Sequence, residues 1–126
     1  MKVLEFGEVE PGKNYIHRPG AYAVLVNDYN QVGIVKIPQG YYLVGGGIDP
    51  GESPEVALHR EVKEELGGKI EIIEKIGEAI QHNYAVFLKE YYTKHGYFYR
   101  AKLIELGHGE ADHELFWMTK EEAILK

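Results

Sequence analysis

Three glutamates in the run Glu61-Val62-Lys63-Glu64-Glu65 stand at positions i, i+3 and i+4. At 3.6 residues per helical turn, that spacing places their carboxylates on one face. Like charges crowded this way repel, so the face calls for a cation. One reading supplies it from Arg60, four residues before Glu64, and from solvent; the face is then simply a hydrated one. The other makes the carboxylates hard oxygen ligands for Mg²⁺ or Mn²⁺, which can bridge them to the phosphates of a small substrate. The preceding segment favours the second reading. Gly45, Gly46 and Gly47 let backbone and substrate come close, and Glu52 arrives just ahead of the helix.

The segment Gly46 to Gly68, GGIDPGESPEVALHREVKEELGG, resembles the Nudix box, G-x5-E-x7-R-E-U-x-E-E-x-G-U, where U is a bulky apolar residue. Gly46, Glu52, Arg60, Glu61, Val62, Glu64, Glu65 and Gly67 match at the required spacings. The last position has Gly68 instead of an apolar residue, and Val44 stands where relatives often have Pro before the glycines. Neither departure touches a ligand. The resemblance implies an α+β Nudix fold and a hydrolase that cleaves a diphosphate linkage in a nucleoside diphosphate joined to another moiety. It implies Mg²⁺ or Mn²⁺ bound by Glu61, Glu64 and Glu65, with the Gly45 carbonyl often joining them. Metal ions there neutralise the polyanionic diphosphate and acidify an attacking water. Arg60 is expected to pair with Glu52 and Glu61 and to orient the site. The proton acceptor is either a box glutamate or a carboxylate of the later loop GHGEADHE. Of Glu110, Asp112 and Glu114, the last is favoured, because Leu115-Phe116-Trp117 follows and anchors it.

The substrate types the resemblance implies are dinucleoside polyphosphate, ADP-ribose and nucleoside triphosphate, and the choice among them is less marked. Tyr84 lies sixteen residues beyond Gly68, where a Tyr in the family weakly marks dinucleoside polyphosphates, and it could stack on a base. The ADP-ribose marker, a Pro at position 83, is replaced by Asn83. The rival reading is a non-catalytic nucleotide-binding or regulatory module of the same fold, which would normally lose box carboxylates. An isomerase of this fold would depend on a cysteine, and the chain has none. None of the six histidines forms a zinc pattern such as H-E-x-x-H.

These residues need elements to hold them. Ser53 before Pro54 is a helix start, and Gly67-Gly68 a stop, so the spacing predicts a helix over 54–66. Leu58, Val62 and Leu66 form its apolar stripe. Strands are expected over 2–9, 21–26, 32–37, 41–44, 70–75, 78–88, 97–106 and 115–118, with a loop over 45–53. Thr119 should cap a short C-terminal helix. Mixed strands around one strong helix give an α+β class in a single domain over 1–126.

Whole-chain properties agree with that picture. At 126 residues, with 44% hydrophobic and 27% charged, the chain suits one folded core. A formal charge of −6 is poor for coating a nucleic-acid polymer. A small nucleotide-like substrate is therefore the expected partner. No apolar run is long enough for a membrane span, and the acidic N-terminus lacks a signal-peptide core, so a cytoplasmic location is expected. Oligomeric state stays open, a homodimer included.

Overall fold

Alternation and apolar runs produce a strand-rich architecture in the computed structural model, which describes residues 3–125. In chain order the elements are β1 (Val3–Phe6), β2 (Tyr15–Val26), β3 (Val32–Ile37), β4 (Gly40–Tyr42), β5 (Val44–Gly47), α1 (Pro54–Leu66), β6 (Lys69–Ala85), β7 (Glu90–Glu105), β8 (Glu114–Met118) and α2 (Lys120–Ile124). The class is α+β. No helix among the described residues is long and apolar enough to cross a membrane.

One eight-stranded mixed sheet carries the chain, in the path β1-β6-β7-β2-β3-β4. It forks at β2. That strand runs parallel to β7 along its whole length. Its other edge pairs first with β5 over Gly20–Ala23 and then with β3 at Leu25 and Val26. β3 in turn carries β4 and β8. Helix α1 lies against β2, β5 and β6, while α2 touches β3.

The apolar stripe of α1 explains this placement. Leu58 and Val62 are fully buried, and Leu66 nearly so, against Ala21, Ala23, Leu25 and Val44. Each such Leu contributes about 1.5–3 kcal/mol of burial. The small side chains of Ala21 and Ala23 let the helix sit close to the sheet. Buried Tyr99 adds a polar tie, its hydroxyl donating to Glu55 at 2.9 Å in the first turn of α1.

Several strand limits differ from those expected. Lys2 lies outside the described residues, and β1 stops at Phe6. The 45–53 loop is shorter, because Val44–Gly47 forms β5. Gly45 makes that pairing achievable: at φ 139°, a Cβ there would fall 2.1 Å from the Ala21 carbonyl oxygen. The separate strands expected over 70–75 and 78–88 are one strand, β6. Irregular register between Ile72 and Glu74 and between Lys75 and Gly77 breaks its alternation and hides its continuity. β2 and β7 both begin earlier than expected, in polar and aromatic stretches that pair with each other from Tyr15 and Tyr91 onward.

Candidate active site

Helix α1 presents the carboxylates because both its ends are fixed. The Ser53 side chain accepts from the Val56 N–H at 3.2 Å, with Pro54 in the first turn. Gly67 closes the helix in the left-handed conformation at φ 60°, its N–H donating to the Lys63 carbonyl. The later loop docks on this end. Gly107 N–H donates to Leu66 O, and Glu110 N–H donates to Glu64 O at 2.9 Å. The contact is tight enough that a Cβ on Gly68 would meet the Glu105 carbonyl at 2.3 Å, so a bulky apolar residue has no room there.

Arg60 is the hub of the site. Its Nε and Nη2 grip Glu52 at 2.8 and 2.9 Å, a bidentate pair. Nη1 donates to Glu61 at 3.0 Å and to Glu64 at 3.2 Å. Nη2 also donates to the Gly47 carbonyl at 2.8 Å and lies 3.5 Å from Asp49. The guanidinium holds the Glu52 carboxyl below the usual range, helped by the Asp49 N–H; Glu52 first, then Glu61 and Glu64, push the Arg60 value up. Glycine 46 is part of the arrangement, since a Cβ there would fall 2.7 Å from the Glu61 carboxyl carbon.

Glu65 is in a different position. It is buried, at 9% exposure, where the carboxylate face borders the apolar stripe of α1. Burial pushes its carboxyl up to about 8; Glu61 and Glu110 add to this, and the Gly45 N–H, donating at 3.1 Å, opposes it. Glu61, Glu64 and Glu65 are hard oxygen donors suited to Mg²⁺ or Mn²⁺. Among the described residues no three His, Asp or Glu side chains are drawn together closely enough to enclose an ion by themselves. Mg²⁺ commonly needs only one or two carboxylates, its shell being completed by waters and substrate phosphates. The donor set therefore fits such an ion.

Two expected site residues lie elsewhere. Glu114 opens β8, exposed and paired with Lys36, and lines a shallow hollow with Asp112 and His113. The loop groups that reach Glu65 are instead Glu110, through its charge, and His113, whose Nε2 is 4.0 Å away. The loop runs along the α1 terminus from Gly107 to His113, and the chain turns away into β8 at Glu114. Tyr84 sits near the far end of β6, its ring 4.7 Å from that of its register partner Tyr91. It does not line the main cleft. Strand alternation explains this: Gln81, which does line it, differs from Tyr84 by an odd number of residues and points to the other face.

That cleft, about 890 Å³, went unnoticed in the sequence. It opens on the face of β2 and β7 that carries Arg18, Tyr22, Lys94 and Phe98, and Gly47 joins it to the Arg60 hub. Tyr22 and Phe98 stack with ring centres 5.5 Å apart. Burial raises the Tyr22 hydroxyl, and the charges of Glu61 and Glu65 raise it further, so it stays protonated beside the carboxylates. Only the parallel β2–β7 register brings these residues together.

The NUDIX domain family model matches residues 16–126. An RNA pyrophosphohydrolase from Nitratiruptor sp. is 47% identical over 49 residues, which is 38% of this chain and 32% of that protein. The nucleoside triphosphatase NudI of Escherichia fergusonii is 44% identical over 61 residues, 48% of this chain and 40% of that one. The match thus spans less than half the length of either relative. Among solved structures, a MutT NUDIX hydrolase from Burkholderia pseudomallei superposes with a TM-score of 0.62 at 28% identity, covering 82% of this chain and 84% of that one. A MutT protein from Methanosarcina mazei Go1 shares the fold with a TM-score of 0.71 at 17% identity, covering 89% and 83%.

Proposed function

Because the chain belongs to the NUDIX family, whose model it matches over residues 16–126, we propose that it is a divalent-metal-dependent hydrolase of nucleoside diphosphate derivatives, acting as one domain. The observation carrying this reading is the carboxylate face of α1, where Arg60 holds Glu61 and Glu64 and ties them to Glu52 of the preceding loop. Glu61, Glu64 and Glu65 would hold Mg²⁺ or Mn²⁺, with the Gly45 carbonyl as a further donor. The ion supplies charge neutralisation and an acidified water. The chain's own groups do the rest. Arg60 fixes the carboxylates and the Gly47 carbonyl in one frame. A carboxylate of the cluster takes the proton of the attacking water as its oxygen bonds to phosphorus and the bridging P–O bond breaks. The cleft beside Gly47 seats the remainder of the substrate. RNA pyrophosphohydrolase and nucleoside triphosphatase relatives support a nucleotide as that substrate. For dinucleoside polyphosphates, Tyr84 gives no support, since it lies outside the cleft; Asn83 in place of the ADP-ribose proline still favours them over ADP-ribose. The test is release of phosphorylated products from a panel of nucleoside diphosphate derivatives with Mg²⁺ or Mn²⁺. Metal-dependent turnover lost in Glu64→Gln is expected; no turnover of any member would overturn the reading.

A further inference from the structure

The chain has 20 acidic residues against 14 Lys and Arg. The cleft reverses that balance: among the described residues no Asp or Glu lines it, and Arg18 and Lys94 do. The two are register partners on the parallel strands β2 and β7, and Gln81 continues the row on β6. Neighbouring strands lie about 4.8 Å apart, so the two cations rise side by side. Among the described residues neither enters a salt bridge; Arg18 only lies over the Tyr92 ring, 5.4 Å from its centre. Paired like charges with no counter-charge are unfavourable until an anion comes between them.

On the same face of the sheet, the next register pairs toward the Arg60 hub are Gly20 with Gly96, then Tyr22 with Phe98. Both rings fold back over the glycines. A Cβ on Gly20 would lie 2.6 Å from the Tyr22 hydroxyl, and one on Gly96 would lie 2.8 Å from the Phe98 ring. The order along the cleft is therefore carboxylate cluster, aromatic section, cation pair. Tyr22 lies four residue steps along the strand from Arg18, about 13 Å at the usual rise. A polyphosphate running this way would leave its charges over an aromatic surface. A nucleoside would instead stack there, with the diphosphate at the carboxylates and a further anion at Arg18 and Lys94.

We propose that Arg18 and Lys94 form a subsite for a second phosphate carried on the sugar of the substrate nucleoside. This rests on the diphosphate-hydrolase reading for the other end of the ligand. The test uses adenosine 3′,5′-bisphosphate and adenosine 5′-monophosphate, neither of which contains a diphosphate, so binding is read without turnover. Equilibrium titration with Mg²⁺ should show the bisphosphate bound about tenfold more tightly, the gain from one charge-assisted contact pair. Arg18→Gln and Lys94→Gln, each checked for an unchanged melting temperature, should each reduce that preference. Equal affinity for the two nucleotides in the unmodified protein, or a preference that survives both substitutions, would overturn the subsite. A preference without hydrolysis of any diphosphate would leave the subsite standing and sink the hydrolase reading; hydrolysis without preference would do the reverse. A 5′-phosphorylated dinucleotide separates two sources of the second phosphate. Weaker binding than the bisphosphate, expected for so acidic a chain, identifies a small molecule; equal binding identifies a nucleic-acid end.

Discussion

Arg60 illustrates how much one planar side chain can organise. Its five N–H donors reach Glu52, Glu61, Glu64 and the Gly47 carbonyl at once. A lysine keeps the charge but not the fork. Arg60→Lys should lower turnover by about 10–100-fold, the usual range for groups that orient metal ligands. Steady-state kinetics would show this chiefly in kcat; full activity would remove the orienting role. Glu65 makes a second prediction. Its carboxyl is buried beside that of Glu61, so Glu65→Gln should weaken Mn²⁺ binding, measured by titration, without loss of fold; unchanged affinity would exclude it as a ligand. The loop gives a third. Glu110 influences Glu65, whereas Glu114 stands opposite Lys36. Glu110→Gln should therefore slow hydrolysis more than Glu114→Gln, and the reverse order in a pH–rate comparison would return the role to Glu114.

At the scale of the element, the carboxylate face of α1 and its C-terminal end do different work, and two glycine substitutions separate them. Gly46→Ala places a methyl against the Glu61 carboxylate, the movable end of a side chain. Metal affinity and turnover should fall while the melting temperature barely changes. Gly67→Ala forces a side chain into the left-handed conformation, at about 1–2 kcal/mol. It also drives a Cβ to within 2.3 Å of the His108 carbonyl. Thermal melting should drop by several degrees, since neither backbone can yield freely. If Gly46→Ala proved the more destabilising of the two, the division between site and scaffold drawn here would fail.

The whole molecule joins this helix to a sheet whose longest strands extend past it. Beyond α1, the sheet is held by polar pairs such as Glu78 with Lys75 and with His95, the latter at 2.6 Å. Lys75 first, and then His95, holds the Glu78 carboxyl below its ordinary value. A depressed folded-state value means the contribution to stability is present above the unfolded value. It is lost as pH falls through the folded one. Glu78→Gln should accordingly melt lower than the unmodified protein at neutral pH, and the gap should close below about pH 4, the carboxylate range. A gap unchanged down to pH 3 would show that Glu78 stabilises by packing alone.

The sequence by itself determined helix α1 and its limits, because capping and termination are local: Ser53, Pro54 and Gly67 need only their near neighbours. It also determined which carboxylates share a face, since helical periodicity is fixed by backbone geometry. The limits of β3 and the capped C-terminal helix followed from equally local signals. Tertiary structure alone decided the rest. Whether Gly45–Gly47 is loop or strand depends on β2 lying beside it. Which loop carboxylate approaches Glu65 depends on how the chain wraps the α1 terminus. The cleft depends on a parallel register between β2 and β7, which are far apart in the chain. Tyr84 and Lys94 look equally available in the sequence; only strand pairing sends one away from the cleft and the other into it. Pairing partners and register are set by long-range packing, and a single chain carries no local mark of them.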